Sequence, residues 1–187
     1  MSGAPAAGIL RRAGALYRAT GADLPFGDPL TAHGVGMEGY FWRVTDRERG
    51  RVLIALIGVN DDGRGGTWST VGLGAHPGHF LRAGALEGGF ADPAALGAAV
   101  GDGSFSGGPG RVRVNLGPKA QLDLTIEREV GWPRRRFGGS SWFHSVPALN
   151  QYWHPHILDG VARGHAVIDG EEWDLDGCRV YAEKNWG

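Results

Sequence analysis

The chain has 187 residues, of which 42% are hydrophobic and 21% charged, a balance typical of one globular domain or at most two. Lys and Arg number 19 against 20 Asp and Glu, so the formal charge of −1 argues against a nucleic-acid-binding surface. The single cysteine excludes an internal disulfide, and no apolar run reaches the roughly 18 residues of a membrane span. Because Arg11 and Arg12 also interrupt any signal peptide, we expect a cytoplasmic protein.

Residues 1–32 are rich in Ala, Gly and Pro and are predicted to form an amino-terminal arm. The spacing of its apolar residues permits one short amphipathic helix. From residue 33 to residue 187 the pattern predicts a β domain, since the 34 glycines of the chain fit many turns between short strands.

The first strands of this domain are predicted at Tyr40–Thr45 and Arg51–Val59, which are rich in aromatic and branched residues. The polar turn between them ends in glycine, a pattern that indicates a hairpin. A third strand is predicted at Thr67–Leu73. Residues 75–108 are harder to interpret, and Pro93–Val100 is predicted as a short helix.

The clearest hairpin joins Arg111–Leu116 to Gln121–Arg128, because apolar and polar residues alternate in both segments. A further strand is predicted at Ser141–Val146. A second tight hairpin joins Val161–Ile168 to Glu172–Tyr181. The total of about eight to ten short strands with little helix predicts an antiparallel barrel or sandwich, and an eight-stranded barrel can hold one small ligand.

His154 and His156 are two residues apart. On a strand both of their side chains would point to the same face, as two ligands do in some zinc sites. His144 or His165 could supply a third ligand. Pro155 disturbs the strand, however, and no cysteine or carboxylate spacing completes the pattern. We therefore expect no metal site.

The segment Tyr181–Gly187 brings an acid, an ammonium and an amide together beside aromatic residues. Strand alternation places Glu183 with Tyr181 and Asn185 on one face, and Lys184 with Trp186 on the other. The simplest interpretation is a surface Glu–Lys pair followed by a buried Trp.

Three segments resemble the tocopherol cyclase family. Tyr181-Ala182-Glu183-Lys184-Asn185-Trp186-Gly187 resembles its signature stretch, and Arg163-Gly164-His165 resembles an Arg-Ala-His segment. Glu38–Val44 is similar to the family's opening Glu-Gly-Trp-Tyr-x-Arg strand, with Tyr40 and Phe41 in place of Trp-Tyr. The resemblance covers residues 33–187, little more than the family's first half. Members of the family continue into a second lipocalin-like β domain.

The resemblance implies a lipocalin-like fold and an acid-promoted ring closure, in which a prenylated hydroquinone or polyene cyclises in an apolar cavity without a cofactor. The candidate catalytic residues are Glu183, as the proton donor of raised pKa, together with Lys184, Asn185, Glu38 and His165, the last expected to point inward. The candidate substrate-binding residues are Tyr40, Trp42, Trp142, Trp153, Tyr181 and Trp186.

Other interpretations of the same residues stay open. The acid, ammonium and amide could simply fasten two β domains together. The barrel could be a non-catalytic carrier of an isoprenoid. If the second β domain is absent, the strand edge at Val180 could pair with a complementary domain or with a second copy.

Overall fold

The computed structural model describes Arg12 and residues 36–92, 95–133, 139–140, 143 and 151–187. Three predicted features lie outside the described residues. They are most of the arm, the strand at Ser141–Val146 apart from Phe143, and the candidate residues Trp142 and His144. No helix among the described residues is long and apolar enough to cross a membrane.

The described part of the chain is almost entirely β structure, which confirms the predicted fold class. It contains 12 strands rather than eight to ten, since four strands lie in residues 75–108, where no strand was predicted. The strands are β1 (Met37–Asp46), β2 (Arg51–Asp61), β3 (Thr67–His76), β4 (Phe80–Glu87), β5 (Phe90–Ala91), β6 (Ala98–Ala99), β7 (Phe105–Gly108), β8 (Arg111–Asn115), β9 (Ala120–Val130), β10 (Tyr152–Ile168), β11 (Glu171–Asp174) and β12 (Arg179–Trp186).

All strands pair antiparallel in one curled sheet with the order β4-β3-β2-β1-β12-β10-β9-β8-β7-β6-β5, and β11 pairs with β10. The predicted hairpins β1–β2, β8–β9 and β10–β11 are present. β12 lies in the middle of the sheet, between β1 and β10. The exposed strand edge expected at Val180 is therefore absent, since this residue pairs with Val44 on one side and Gly160 on the other.

The concave face of the sheet carries the apolar core, because alternate residues of each strand turn inward. Trp42 of β1 reaches across this interior to β7, where its ring lies 6.0 Å from Phe105. A Cβ atom at Gly107 would lie only 2.5 Å from the Trp42 ring. Glycine at this position thus lets the two walls of the half-barrel approach each other.

The helix predicted at Pro93–Val100 is wrong for its described part, since Ala98–Ala99 forms β6. Leu96, Ala98 and Val100 are all buried, which is the period of two of an extended chain. Gly97 interrupts any helical stretch, and a Cβ atom there would lie 3.3 Å from the Gly107 carbonyl oxygen. This close packing outweighs the helical propensity of the neighbouring alanines.

Candidate functional site on the concave face

The pairing of β1 with β12 brings together the two segments that carry the strongest family resemblance. Glu38 lies opposite Trp186, and Tyr40 lies opposite Lys184. The predicted alternation within β12 is confirmed, because Lys184 and Trp186 are buried whereas Glu183 and its neighbours on the other face are partly exposed. The concave face thus receives the ammonium, and the opposite, convex face receives Glu183.

A buried ion pair forms the centre of the concave cluster. Glu38 Oε1 accepts a hydrogen bond from Lys184 Nζ at 2.5 Å and another from the Tyr40 hydroxyl at 2.7 Å. The side chains of Lys184 and Glu38 are 0% and 1% exposed, respectively. Removing two charges from water is costly, so such a pair adds little net stability to the folded protein. Buried ion pairs of this kind are typical of functional sites.

Aromatic rings surround the ammonium group. Lys184 Nζ lies 5.5 Å from the centre of the Tyr40 ring and 5.6 Å from that of Trp186, distances that permit cation–π attraction. Tyr152 stacks on Trp186, with ring centres 5.6 Å apart. Burial, reinforced by the Glu38 carboxylate, raises the pKa of Tyr40 far above its ordinary value. The Tyr40 hydroxyl therefore remains a hydrogen-bond donor at any working pH.

His156 enters the same cluster through an irregularity in β10. The register with β12 shifts between Pro155, which pairs with Glu183, and Ile157, which pairs with Ala182. His156 is the extra residue of this bulge, and its ring lies 6.3 Å from Tyr40. From the sequence, His156 is a possible metal ligand or, more simply, a surface or hydrogen-bonded core histidine. Proline inside a strand was the signal for a bulge, and bulges often re-aim a side chain at a functional site.

The histidines do not form a metal centre within the described part of the chain. His154 and His156 are both buried, but no group of three or more potential ligands occurs among the described residues. His165, expected to point inward, is exposed instead. Ala166 and Ile168 face the core from this end of β10, so the strand register places His165 on the other face.

The convex face carries a second polar cluster around Glu183. Its Oε2 atom accepts hydrogen bonds from Trp153 Nε1 at 2.7 Å and from the Tyr181 hydroxyl at 2.6 Å. The guanidinium of Arg43 lies 5.6 Å from the Tyr181 ring centre. Asn185 also faces this side, where its Oδ1 atom occupies the space beside Gly39. The residues named from the sequence thus form two clusters separated by the sheet.

One opening, with a volume of about 390 Å³, lies between the start of β4 and the turn from Leu116 to Ala120. Strands β1 and β12 place Glu38 and Lys184 at the opposite end of the sheet. This opening therefore contributes nothing to the chemistry of the ion pair.

The stability of the protein should fall in acid because His156 is buried without its charge. Burial, with smaller contributions from His154 and Lys184, lowers the pKa of His156 from 6.5 to about 3. Between these values the unfolded chain binds a proton that the folded chain does not, so the free energy of unfolding decreases as the pH falls from about 6.5 towards 3. This one group contributes a slope of up to about 1.4 kcal/mol per pH unit.

Urea denaturation at pH 7, 5.5 and 4 measures this slope. His156→Gln should flatten it, because glutamine does not titrate. His165→Asn, at an exposed position, serves as the control for replacing a histidine. Equal slopes in the wild type and His156→Gln would contradict the prediction.

Comparison with solved structures finds two proteins of very different sequence that align with most of this chain. Kievitone hydratase from Nectria haematococca aligns with a TM-score of 0.50 and 12% identity, over 87% of this chain and 49% of that chain. An ATTH protein from Nitrosomonas europaea aligns with a TM-score of 0.45 and 10% identity, over 82% of this chain and 52% of that chain. This chain thus spans about half the length of either protein. No family model and no curated protein matches the sequence. At 12% identity and a TM-score of 0.50, the likeness to kievitone hydratase shows the fold alone, a curled antiparallel half-barrel.

Proposed function

We propose that this lipocalin-like domain binds a prenylated hydroquinone, or a related polyene, on its concave face and promotes ring closure by adding a phenol O–H across an alkene. The observation that carries the proposal is the Lys184–Glu38–Tyr40 network, buried among aromatic rings. The resemblance to the tocopherol cyclase family supports it, because the family-like segments containing Glu38 and Lys184 are neighbouring strands.

In the proposed mechanism Glu38 replaces Glu183 as the proton-transferring acid, since Glu183 lies on the convex face. The Glu38 carboxylate accepts the proton of the reacting phenol and delivers it to one alkene carbon. The phenol oxygen then bonds to the other alkene carbon. One O–H bond and the alkene π bond are lost, one C–H and one C–O bond are formed, and Glu38 returns to its starting state.

Lys184 and Tyr40 assist this transfer through the same carboxylate oxygen. When protonated Glu38 gives up its proton, the ammonium and the hydroxyl stabilise the carboxylate that forms, which lowers the cost of protonating carbon. The faces of Tyr40 and Trp186 already lie beside one cation, Lys184 Nζ. The same electron-rich surroundings would stabilise the carbocation of the substrate and shield it from water.

The name of kievitone hydratase describes the addition of water, a related O–H addition, and so agrees with this class of reaction. Because this chain covers only 49% of that chain, we also propose that a complementary second β domain completes the active protein. This second domain can be supplied as a separate chain.

Mass spectrometry tests the proposal directly. The protein is incubated with 2-geranyl-1,4-hydroquinone, alone and with a complementary β domain, and the expected product is the isomeric chromanol of unchanged mass and shifted retention time. Heat-denatured protein serves as the control for spontaneous closure. Failure to form the chromanol above this control in both mixtures would overturn the catalytic proposal.

A non-catalytic carrier is the second candidate, and one observation favours it. Glu38 Oε1 is already bonded to both Lys184 and Tyr40, an arrangement that also suits a fixed structural network. A carrier would quench tryptophan fluorescence on binding the geranyl hydroquinone, would form no chromanol, and would bind equally well after Glu38→Gln.

A further inference from the structure

Among the described residues, the buried polar atoms without a hydrogen-bond partner include two on neighbouring rings of the concave face. They are Nε2 of His156 and Nε1 of Trp42, on side chains that are 8% and 0% exposed. A buried unsatisfied donor or acceptor costs about 1–3 kcal/mol, and most buried polar groups are paired. Two such atoms on neighbouring rings indicate a polar group that the chain itself does not supply.

The backbone is arranged to bring His156 to this position. A regular strand would bury every second residue, whereas the bulge of β10 allows His156 and Ile157 to be buried in succession. Pro155, which has no N–H to donate, precedes the bulge. The imidazole then lies 6.2 Å from the Trp42 ring and 6.3 Å from the Tyr40 ring.

The chemistry of the two atoms selects a hydroxyl group. The indole N–H of Trp42 can only donate a hydrogen bond, so its partner must be an acceptor. A neutral imidazole nitrogen can accept one. A hydroxyl oxygen accepts from one group and donates to the other, whereas a carboxylate cannot donate and an ammonium cannot accept. The two rings meet edge to face, with their centres 6.2 Å apart.

We infer that His156 and Trp42 bind the second hydroxyl of the hydroquinone, the one that does not take part in ring closure. This inference rests on the proposed function, in which Glu38 and Lys184 receive the reacting hydroxyl. Tyr40 connects the two positions, since its hydroxyl bonds to Glu38 while its ring stacks on Trp42 at 5.8 Å and meets His156 edge-on. The two oxygens of a hydroquinone lie on opposite sides of one ring, so one is assigned to Glu38 and Lys184 and the other to His156 and Trp42.

Two probe molecules test the inference. One is 2-geranyl-1,4-hydroquinone, and the other is its monomethyl ether, capped at the hydroxyl remote from the geranyl chain. By tryptophan fluorescence titration the wild type should bind the free hydroquinone about tenfold more tightly, the ratio expected for the loss of one buried hydrogen bond. His156→Phe should bind both probes with nearly equal affinity.

Matched variants separate recognition from folding. Trp173 has a buried indole N–H without a partner among the described residues, but it packs under Arg51, away from His156. Trp173→Phe should keep the tenfold preference, whereas Trp42→Phe should lose it. If His156→Phe does not fold by circular dichroism, His156→Gln provides the measurement, because glutamine restores a neutral donor and acceptor and should keep a measurable preference.

The outcomes distinguish this inference from the proposed function. Equal affinity of the wild type for both probes would mean that ordered water satisfies the two nitrogens, and it would overturn the inference while the ring-closure proposal stands. A preference that survives in both His156→Phe and Trp42→Phe would also overturn it. Failure of the wild type to bind either probe would instead refute the proposed function.

Discussion

Replacing Lys184 with methionine should lower the free energy of unfolding by about 3–5 kcal/mol, the usual cost of leaving one partner of a buried ion pair without the other. Methionine is nearly as long as lysine and fills most of the same space, so the loss reports the charge and not a cavity. Glu38 is 1% exposed, and without the ammonium it retains only part of its compensation. Urea denaturation at pH 7 measures the change.

A second substitution shows whether the pair itself causes the loss. In the Lys184→Met background, Glu38→Gln should recover most of the lost stability, because the remaining carboxylate is replaced by a neutral amide. Lys119→Met breaks a solvent-exposed pair with Asp169 at 3.0 Å and should cost no more than about 1 kcal/mol. If Lys184→Met cost as little as Lys119→Met, the Glu38 carboxylate left behind would not be the uncompensated buried charge on which the prediction depends.

Glu38→Gln should reduce the rate of chromanol formation by about 10²–10⁴-fold, the range expected when a general acid–base group is removed. Glutamine retains the shape of the side chain but cannot accept the phenol proton and pass it to carbon. Single-turnover measurements with excess protein separate this chemical step from product release. Fluorescence titration of the same variant checks that the ligand still binds.

Glu183→Gln is the matched control, because it makes the same chemical change on the convex face of the sheet. Its rate should stay within a few-fold of the wild type, since Glu183 bonds to Trp153 and Tyr181 and not to the concave cluster. The reverse result, with Glu183→Gln inactive and Glu38→Gln active, would move the catalytic site to the convex face.

The local features of the fold were predictable because they depend on short-range patterns. Alternation alone located the β8–β9 hairpin, where Val112 and Val114 face the core beside Leu122 and Leu124. Alternation also predicted that Lys184 and Glu183 lie on opposite faces of their strand. It could not show which of the two faces is buried, because that depends on how distant strands curl around them.

The misplaced residues follow from long-range packing. His165 was expected to point inward, but the pairing of β10 with β9 and β11 turns Ala166 to the core instead. His156 enters the site through a bulge whose position is fixed by the partner strand, β12. The contact of Glu38 with Lys184 was also hidden, because only the register of β1 against β12 makes neighbours of residues so far apart in sequence.

The position of β12 in the middle of the sheet also constrains how the protein folds. Strands β1–β4 pair among themselves, but they join the rest of the sheet only when residues 179–186 insert between β1 and β10. Closing such a long loop is entropically costly and typical of slow-folding, high-contact-order topologies. Until β12 is in place, the early hairpins expose the apolar face that the rest of the half-barrel later covers, so we expect aggregation to compete with folding.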